Sequence, residues 1–387
     1  MKTVRVTLIG GSNTLMVPGY VTQLLPMAAQ RGLHLDVVAN LAVGGTSCGY
    51  GLYALKTTEA VEQSDLLIVE YGINDGWIYG DERRRVRHWA RFYEGIIRHA
   101  LERNPQLIVC SVVLGARNGT WLGAVPSVDA GMHYLSSWYR SAIIDVNASL
   151  LRRYGREVVT NPSFYMDQGH YARPVATAMV AEIVLDGLVD AIAQGPRQVA
   201  LPPAIDAKNF ASAGTVTAAL LADMTGQPLV DYRNRIFSLD AFDLAEQQIA
   251  FRIEGGKLLS INYACDEATG MVAITRNGKT TPVAMMKGGV ANKQFRFLAS
   301  MLSCDFLYGA QLVTEDEDAD YSIALAPPSL ASECHIPKDS VAHTDQADAA
   351  RLPLLGLLYS GTIKDLRITR TGNATAEPAV QPALSAA

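Results

Sequence analysis

At 387 residues the chain is longer than a usual single domain, and two domains are the starting expectation. Apolar residues at 49% and charged residues at 18% describe an ordinary globular protein, and a net charge of -5 excludes any broad attraction to nucleic acid or anionic membrane. The five cysteines are odd in number and scattered without C-x-x-C spacing, which argues against a disulfide framework and a zinc site and for small, mostly buried thiols. No uninterrupted apolar run approaches the roughly 20 residues of a membrane span. After Met1-Lys2 the chain enters a strand directly, so no signal peptide is read and a cytoplasmic setting is expected.

From Val4 to about Gln194, strands and helices alternate with short connections, the pattern of a parallel sheet covered on both faces. The expected strands are Val4–Ile9, Leu35–Leu41, Leu66–Tyr71, Leu107–Leu114 and Glu157–Thr160. Between them lie helical patterns at about 20–30, 49–63, 83–103, 132–153 and 172–193. In the last, Ala176, Val180, Ile183, Val184, Leu188, Ala191 and Ile192 share one face, with Gly187 among them to permit a close approach to the sheet. Asp81 reads as the N-cap of the helix at 83–103.

The texture changes after Gln194. Residues 1–196 read as one α/β domain and 197–246 as a linker and connecting segment, in which Ala211–Met224 is ambiguous but suits one helix. From 247 to 370, short alternating runs (Ile249–Ile253, Leu258–Tyr263, Met271–Thr275, Phe295–Ala299, Tyr321–Leu325, Ile363–Ile368) are separated by glycine-containing turns and predict a β-sandwich. Residues 371–387 are small and polar, and a disordered tail is expected. The acidic run Glu315–Asp320 lacks the glycine and distal glutamate of a calcium loop and reads as a solvated turn between strands.

Four stretches fall at the C-terminal ends of expected strands, the edge where open α/β sheets bind ligands. They are Gly10-Gly11-Ser12-Asn13, Asn40–Ser47, Glu70–Gly76 and Asp167–His170. Each has a bland reading, since a serine after glycines serves as a turn residue or N-cap and Asn-Asp-Gly is a good turn. Together they form the set that acyl transfer calls for. A serine hydroxyl is a poor nucleophile until an imidazole takes its proton, and the imidazole needs an acceptor on its other nitrogen. His170 suits the base and Asp167, three residues before it, the acceptor. Ser12 N–H, a glycine N–H from the second stretch and the Asn74 amide suit the oxyanion.

These stretches, in this order, resemble the blocks of the SGNH (GDSL-type) hydrolases over roughly residues 4–193. The resemblance implies a flavodoxin-like three-layer α/β/α sandwich with a five-stranded parallel sheet, Ser12 as nucleophile, Asp167 and His170 as its partners, and Ser12, Gly45 and Asn74 as the oxyanion hole. Gly45 is taken over Gly44 by counting from Asn40. The run Glu70–Gly76 looks most like the branch that removes acetyl groups from polysaccharides. One departure stands out: the family usually places an aspartate before the serine, where this chain has Gly11, so the turn must be stabilised differently.

The arginine run at 83–87 reads as a solvated face, or else as a site in which Arg83 and Arg84 hold an anionic substrate. Tyr71, Trp77, Tyr79 and Trp121 lie in or near the expected site loops, where aromatic faces either stack on sugar rings or pack in the core. His335, His343 and Asp345 show no metal spacing and receive no role. The leading expectation is a serine esterase releasing a short acyl group, most simply acetyl, from a small-molecule or oligosaccharide ester, with no metal or organic cofactor implied. Two rivals are an O-acyltransferase using the same residues and a non-catalytic glycan-binding protein. The β-rich domain is open to three uses: glycan binding, cover for the site, or a subunit interface that would make the chain a homo-oligomer.

Overall fold

The computed structural model describes residues 2–80, 83–117, 122–197, 199–313, 316–342, 350–370, 379–381 and 384–385, with backbone alone at 83–84 and beyond 378. The chain divides into two compact units, Met1–Ala211 and Ser212–Ala387.

The first unit runs β1 (Lys2–Gly10), α1 (Ser12–Leu15), α2 (Tyr20–Gln30), β2 (Leu33–Asn40), α3 (Cys48–Lys56), β3 (Leu66–Glu70), α4 (Gly72–Tyr79), α5 (Arg83–Arg103), β4 (Ile108–Val113), α6 (Ser127–Tyr139), β5 (Ala142–Asp145), α7 (Val146–Thr160) and α8 (Val175–Gln194). The strands form one parallel sheet in the order β2-β1-β3-β4-β5. In this order the connections depart in opposite directions from β1 and β3, which opens a crevice between their C-terminal ends. β3 is buried along its whole length, because helices cover both faces. The apolar face read for 172–193 is the buried face of α8, and a Cβ on Gly187 would lie 2.5 Å from Ile144 of β5, so the glycine does permit a close approach.

Two expected elements are corrected. Glu157–Thr160 is the end of α7 and not a strand, and the fifth strand is Ala142–Asp145, inside the stretch read as a helix at 132–153. Ile144 is buried against the core, and the Asp145 carboxylate accepts the Ala148 N–H at 2.8 Å, so the chain ends a short strand and restarts as a capped helix within one residue. Val159, whose β-branch suggested a strand, buries its side chain from the helix instead. The helix expected at 49–63 ends at Lys56, and Asp81, offered as the cap of α5, lies outside the described residues.

The segment 197–246 is not a free linker. Its first part packs on α5: Asp206 pairs with Arg87 at 3.2 Å and Arg91 at 2.9 Å, and Phe210 lies 4.6 Å from the Phe92 ring. Its second part builds β6 (Gly214–Thr217), α9 (Ala218–Thr225), β7 (Val230–Arg233) and β8 (Ser238–Asp243) of the second unit. The alanine-rich stretch splits into strand and helix at Thr217, whose hydroxyl accepts the Leu220 N–H and caps α9.

The second unit continues with β9 (Gln247–Gly256), β10 (Leu258–Asp266), β11 (Met271–Arg276), β12 (Lys279–Ala284), α10 (Gly288–Ala291), β13 (Phe297–Ser303), β14 (Glu317–Leu325), β15 (Pro353–Tyr359) and β16 (Thr362–Arg370). One antiparallel sheet has the order β13-β10-β15-β8-β7, with β6 also on β15; the other has the order β12-β11-β14-β9-β16. Alternate residues of β9 (Ile249, Phe251, Ile253) and β10 (Ile261, Tyr263, Cys265) point into one shared core, as the period of two in the sequence requires of a sandwich. From the stretch read as a tail, residues 379–381 and 384–385 pair with β16 as β17 (Ala379–Gln381) and β18 (Leu384–Ser385). The acidic run opens β14 instead of forming a turn, because its charges meet cations: Asp316 pairs with Lys257, Glu317 with Arg276, and Asp318 and Asp320 with Arg252. Glu315 lies outside the described residues. All five cysteines are free thiols, four of them buried.

Candidate active site

β1 ends at Gly10, and the chain turns through Gly11 into the single turn of α1, which begins at Ser12. The Ser12 Oγ lies 2.7 Å from His170 Nε2, and His170 Nδ1 lies 2.7 and 2.8 Å from the two Asp167 carboxylate oxygens. Three side chains from opposite ends of the first unit thus form one hydrogen-bonded line. Asp167 also accepts the Gly169 and His170 N–H groups at 2.8 and 3.0 Å, which folds the short loop back onto the ring. Burial pulls the Asp167 carboxyl upward, but these hydrogen bonds and the neighbouring imidazole outweigh it and hold the group below its ordinary pKa.

The loop bearing His170 is anchored at both ends. Tyr165 and Tyr171 bridge as an antiparallel pair with stacked rings 5.4 Å apart, and the Gly115 N–H donates to the Tyr171 hydroxyl at 3.0 Å. Asn13, next to Ser12 and buried, donates to Gly169 O at 2.8 Å and ties the loop to the Ser12 turn. Nothing in the local sequence signals this tie of Asn13 to Gly169, since it joins atoms 156 residues apart.

Asn74 sits on the first turn of α4 and donates one amide hydrogen to Thr46 O at 2.8 Å, leaving the second free of that bond. The N–H groups of Ser12 and Gly45 donate to no atom among the described residues. Gly45 has φ +73°, the left-handed region that favours glycine, whereas Gly44 approaches Ser12 itself: a Cβ there would lie 3.3 Å from Ser12 Cβ. Asp75 locks these loops together. It is fully buried, and its two oxygens accept the Cys48 N–H at 2.9 Å and the Trp89 Nε1–H at 2.7 Å. Burial pushes its carboxyl up to about 7 despite those donors.

The turn that lacks an aspartate at position 11 is held from below. Glu70, the last residue of β3 and 2% exposed, accepts the Thr14 hydroxyl at 2.9 Å, and its main-chain oxygen accepts the Gly11 N–H at 3.0 Å. Burial raises its carboxyl to about 8, against the pull of hydrogen bonds from Thr14 and Gly11. The sequence placed Glu70 in a site stretch but left it without a function, because burial of a carboxylate at a strand end has no local signal.

The remaining candidates separate by burial. Tyr71 and Tyr79 are core residues, fully buried, whereas Trp77 is 40% exposed and packs its ring against Gly169, beside His170. Trp121, His343 and Asp345 lie outside the described residues, as do the side chains of Arg83 and Arg84. Arg87 from the same run is tied to Asp206. Among the described residues no group of three or more metal-ligating side chains occurs, and no helix is long and apolar enough to cross a membrane.

No family model and no curated protein matches the sequence. Solved structures do. The crystal structure of a two-domain esterase (CEX) active on acetylated mannans is similar over 92% of this chain and 91% of that one, at 12% identity and a TM-score of 0.61. The same esterase co-crystallized with mannopentaose is similar over 97% and 92%, at 13% identity and a TM-score of 0.60. The likeness spans both units and, with the strand order above, shows the fold: a flavodoxin-like α/β/α sandwich with a five-stranded parallel sheet, followed by an antiparallel β-sandwich.

Proposed function

We propose that the protein is a serine esterase that removes a short acyl group, acetyl in the simplest case, from a carbohydrate hydroxyl. The carrying observation is the line Ser12 Oγ to His170 Nε2 to Asp167, closed at 2.7 Å on both sides of the imidazole. In this reading the Ser12 hydroxyl donates its proton to His170 Nε2 while Oγ attacks the ester carbonyl. Asp167 keeps the proton on Nδ1 and favours the imidazolium that forms. The tetrahedral oxyanion is met by the N–H groups of Ser12 and Gly45 and by the free Asn74 amide hydrogen, each worth about 2.7–4 kcal/mol of barrier. Collapse expels the sugar alcohol, which takes the proton from His170. Water, deprotonated by the same imidazole, then releases the acid from the acyl-serine.

The esterase with a similar two-unit fold acts on acetylated mannans, which supports a polysaccharide ester as substrate. The exposed Trp77 beside the His170 loop offers an apolar face for a sugar ring. A domain kept only as a relic would have no reason to hold three side chains in line, which weighs against the non-catalytic reading. The test is hydrolysis of p-nitrophenyl acetate, butyrate and octanoate by wild type and Ser12→Ala. Activity that falls with chain length and vanishes in Ser12→Ala supports the proposal; equal activity in both proteins overturns it. A sugar acceptor that diverts the acetyl group from water would move the assignment to the acyltransferase.

A further inference from the structure

The opposite edge of the sheet from Ser12 carries a second polar feature. Where β4 and β5 begin and α8 ends, a cavity of about 80 Å³ is lined by Tyr139, Arg140, Ser141, Gln194 and Arg197, among others. Arg140 caps the C-terminus of α6 in the left-handed conformation, φ 50°, and Arg197 follows the last residue of α8 by three positions. Both cations therefore sit where helix dipoles end in partial negative charge, which accounts for two arginines in one place.

It does not account for their hydrogen bonds. Arg197 donates from Nη2 to Ala200 O at 2.7 Å, but its Nε and Nη1 are buried and have no acceptor among the described residues. No carboxylate among the described residues pairs with Arg140 or Arg197. Burial, and after it the charge of Arg140, holds the Arg197 guanidinium below its ordinary pKa. The two buried, unfilled donors of Arg197, beside the solvent-exposed cation of Arg140 in a part-enclosed space, are the complement of an anion with several acceptor oxygens. A cavity of about 80 Å³ suits a group of that size.

We propose that this cavity is an oxyanion site, taking a tetrahedral anion of the phosphate or sulfate class between the guanidiniums of Arg140 and Arg197, with Gln194 and Ser141 beside it. The ligand joins the ends of α6 and α8 at the N-terminal edge of the sheet. Because it binds the folded chain and not the unfolded one, its effect is on stability. The site stands independently of the esterase reading.

The experiment is thermal unfolding of the full chain at constant ionic strength, with chloride replaced stepwise by phosphate or sulfate, for wild type, Arg140→Gln, Arg197→Gln and the double variant. Sulfate and phosphate also stabilise proteins by exclusion, an effect that rises without saturating and is shared by every variant. The expected result is an additional, saturable rise in Tm in wild type, smaller in each single variant and absent from the double. Identical curves for wild type and double variant overturn the proposal, as does saturation by chloride at the same concentrations. Glucose 6-phosphate is run in parallel. A saturable response to phosphate alone supports a free anion, and a response to both supports a phosphate group presented at the cavity mouth by a larger molecule.

Discussion

Gly11 and Asn74 compete for one space: a Cβ on Gly11 would lie 2.5 Å from Asn74 Nδ2, while that amide is tied to Thr46 O at 2.8 Å. Gly11 has φ -86°, a conformation open to any residue, so the requirement for glycine is steric and not conformational. The missing aspartate and the position of the Asn74 amide are thus two sides of one arrangement. Gly11→Ala should displace the amide and lower kcat on p-nitrophenyl acetate by about 10²–10³-fold, the usual cost of one oxyanion donor, with Gly11→Asp no better. Wild-type kcat in Gly11→Ala would remove Asn74 from the oxyanion hole.

Glu70 supports the same turn through Thr14, and its protonation couples that turn to pH. Its carboxyl is raised by burial from 4.5 to about 8 in the fold. Between those values the folded chain keeps a proton that the unfolded chain has lost. Stability from this group is therefore greatest below pH 4.5 and declines, by up to about 1.4 kcal/mol per pH unit, until about pH 8. Glu70→Gln carries no charge at any pH, so the Tm of the variant minus that of wild type should increase from pH 5 to pH 9. A difference that stays level over this range contradicts the assignment.

Asp75 satisfies two buried donors at once, the Cys48 N–H and the Trp89 indole. Asp75→Asn can accept only one of them, and a buried unpaired donor costs about 1–3 kcal/mol. At about 2–4 °C per kcal/mol for a unit of this size, the calorimetric transition of the first unit should fall by roughly 2–12 °C. An unchanged transition would show that the loops are held by other contacts.

Asp167 is half-exposed, its side chain 53% accessible, so water partly replaces it when it is removed. Asp167→Asn should lower kcat by about 10²–10⁴-fold with KM little changed, since the group acts on the imidazole and not on the bound ester. A rise in KM alone would point to substrate binding in its place.

Trp77→Ala tests recognition apart from chemistry. An acetylated oligosaccharide should show a several-fold higher KM, while p-nitrophenyl acetate, which has no sugar ring to stack, should be hydrolysed at nearly the wild-type rate. A parallel loss on both substrates would mean that the indole serves only to brace Gly169 and the His170 loop.

Much of this was legible from residue order. The alternation of strands and amphipathic helices, the apolar face of α8 and the period of two in β9 each follow from local spacing, and so does the placement of Ser12 and Asn74 just past strand ends; Asp167 and His170 instead lie in the loop between α7 and α8, since the strand expected before them is helix. Tertiary packing decided the rest. A four-residue strand such as Ala142–Asp145 carries too little pattern to be told from the helices around it, and Val158-Val159 joined a helix because the core beside α7 had room for Val159 there. The acidic run at 317–320 became strand, with Asp316 just before it, because Lys257, Arg252 and Arg276, all distant in sequence, neutralise it. The buried Glu70 and the space shared by Gly11 and Asn74 belong to the same class. Each depends on atoms about 56 to 63 residues apart that meet only when β1 and β3 lie side by side, and no window of sequence contains that distance.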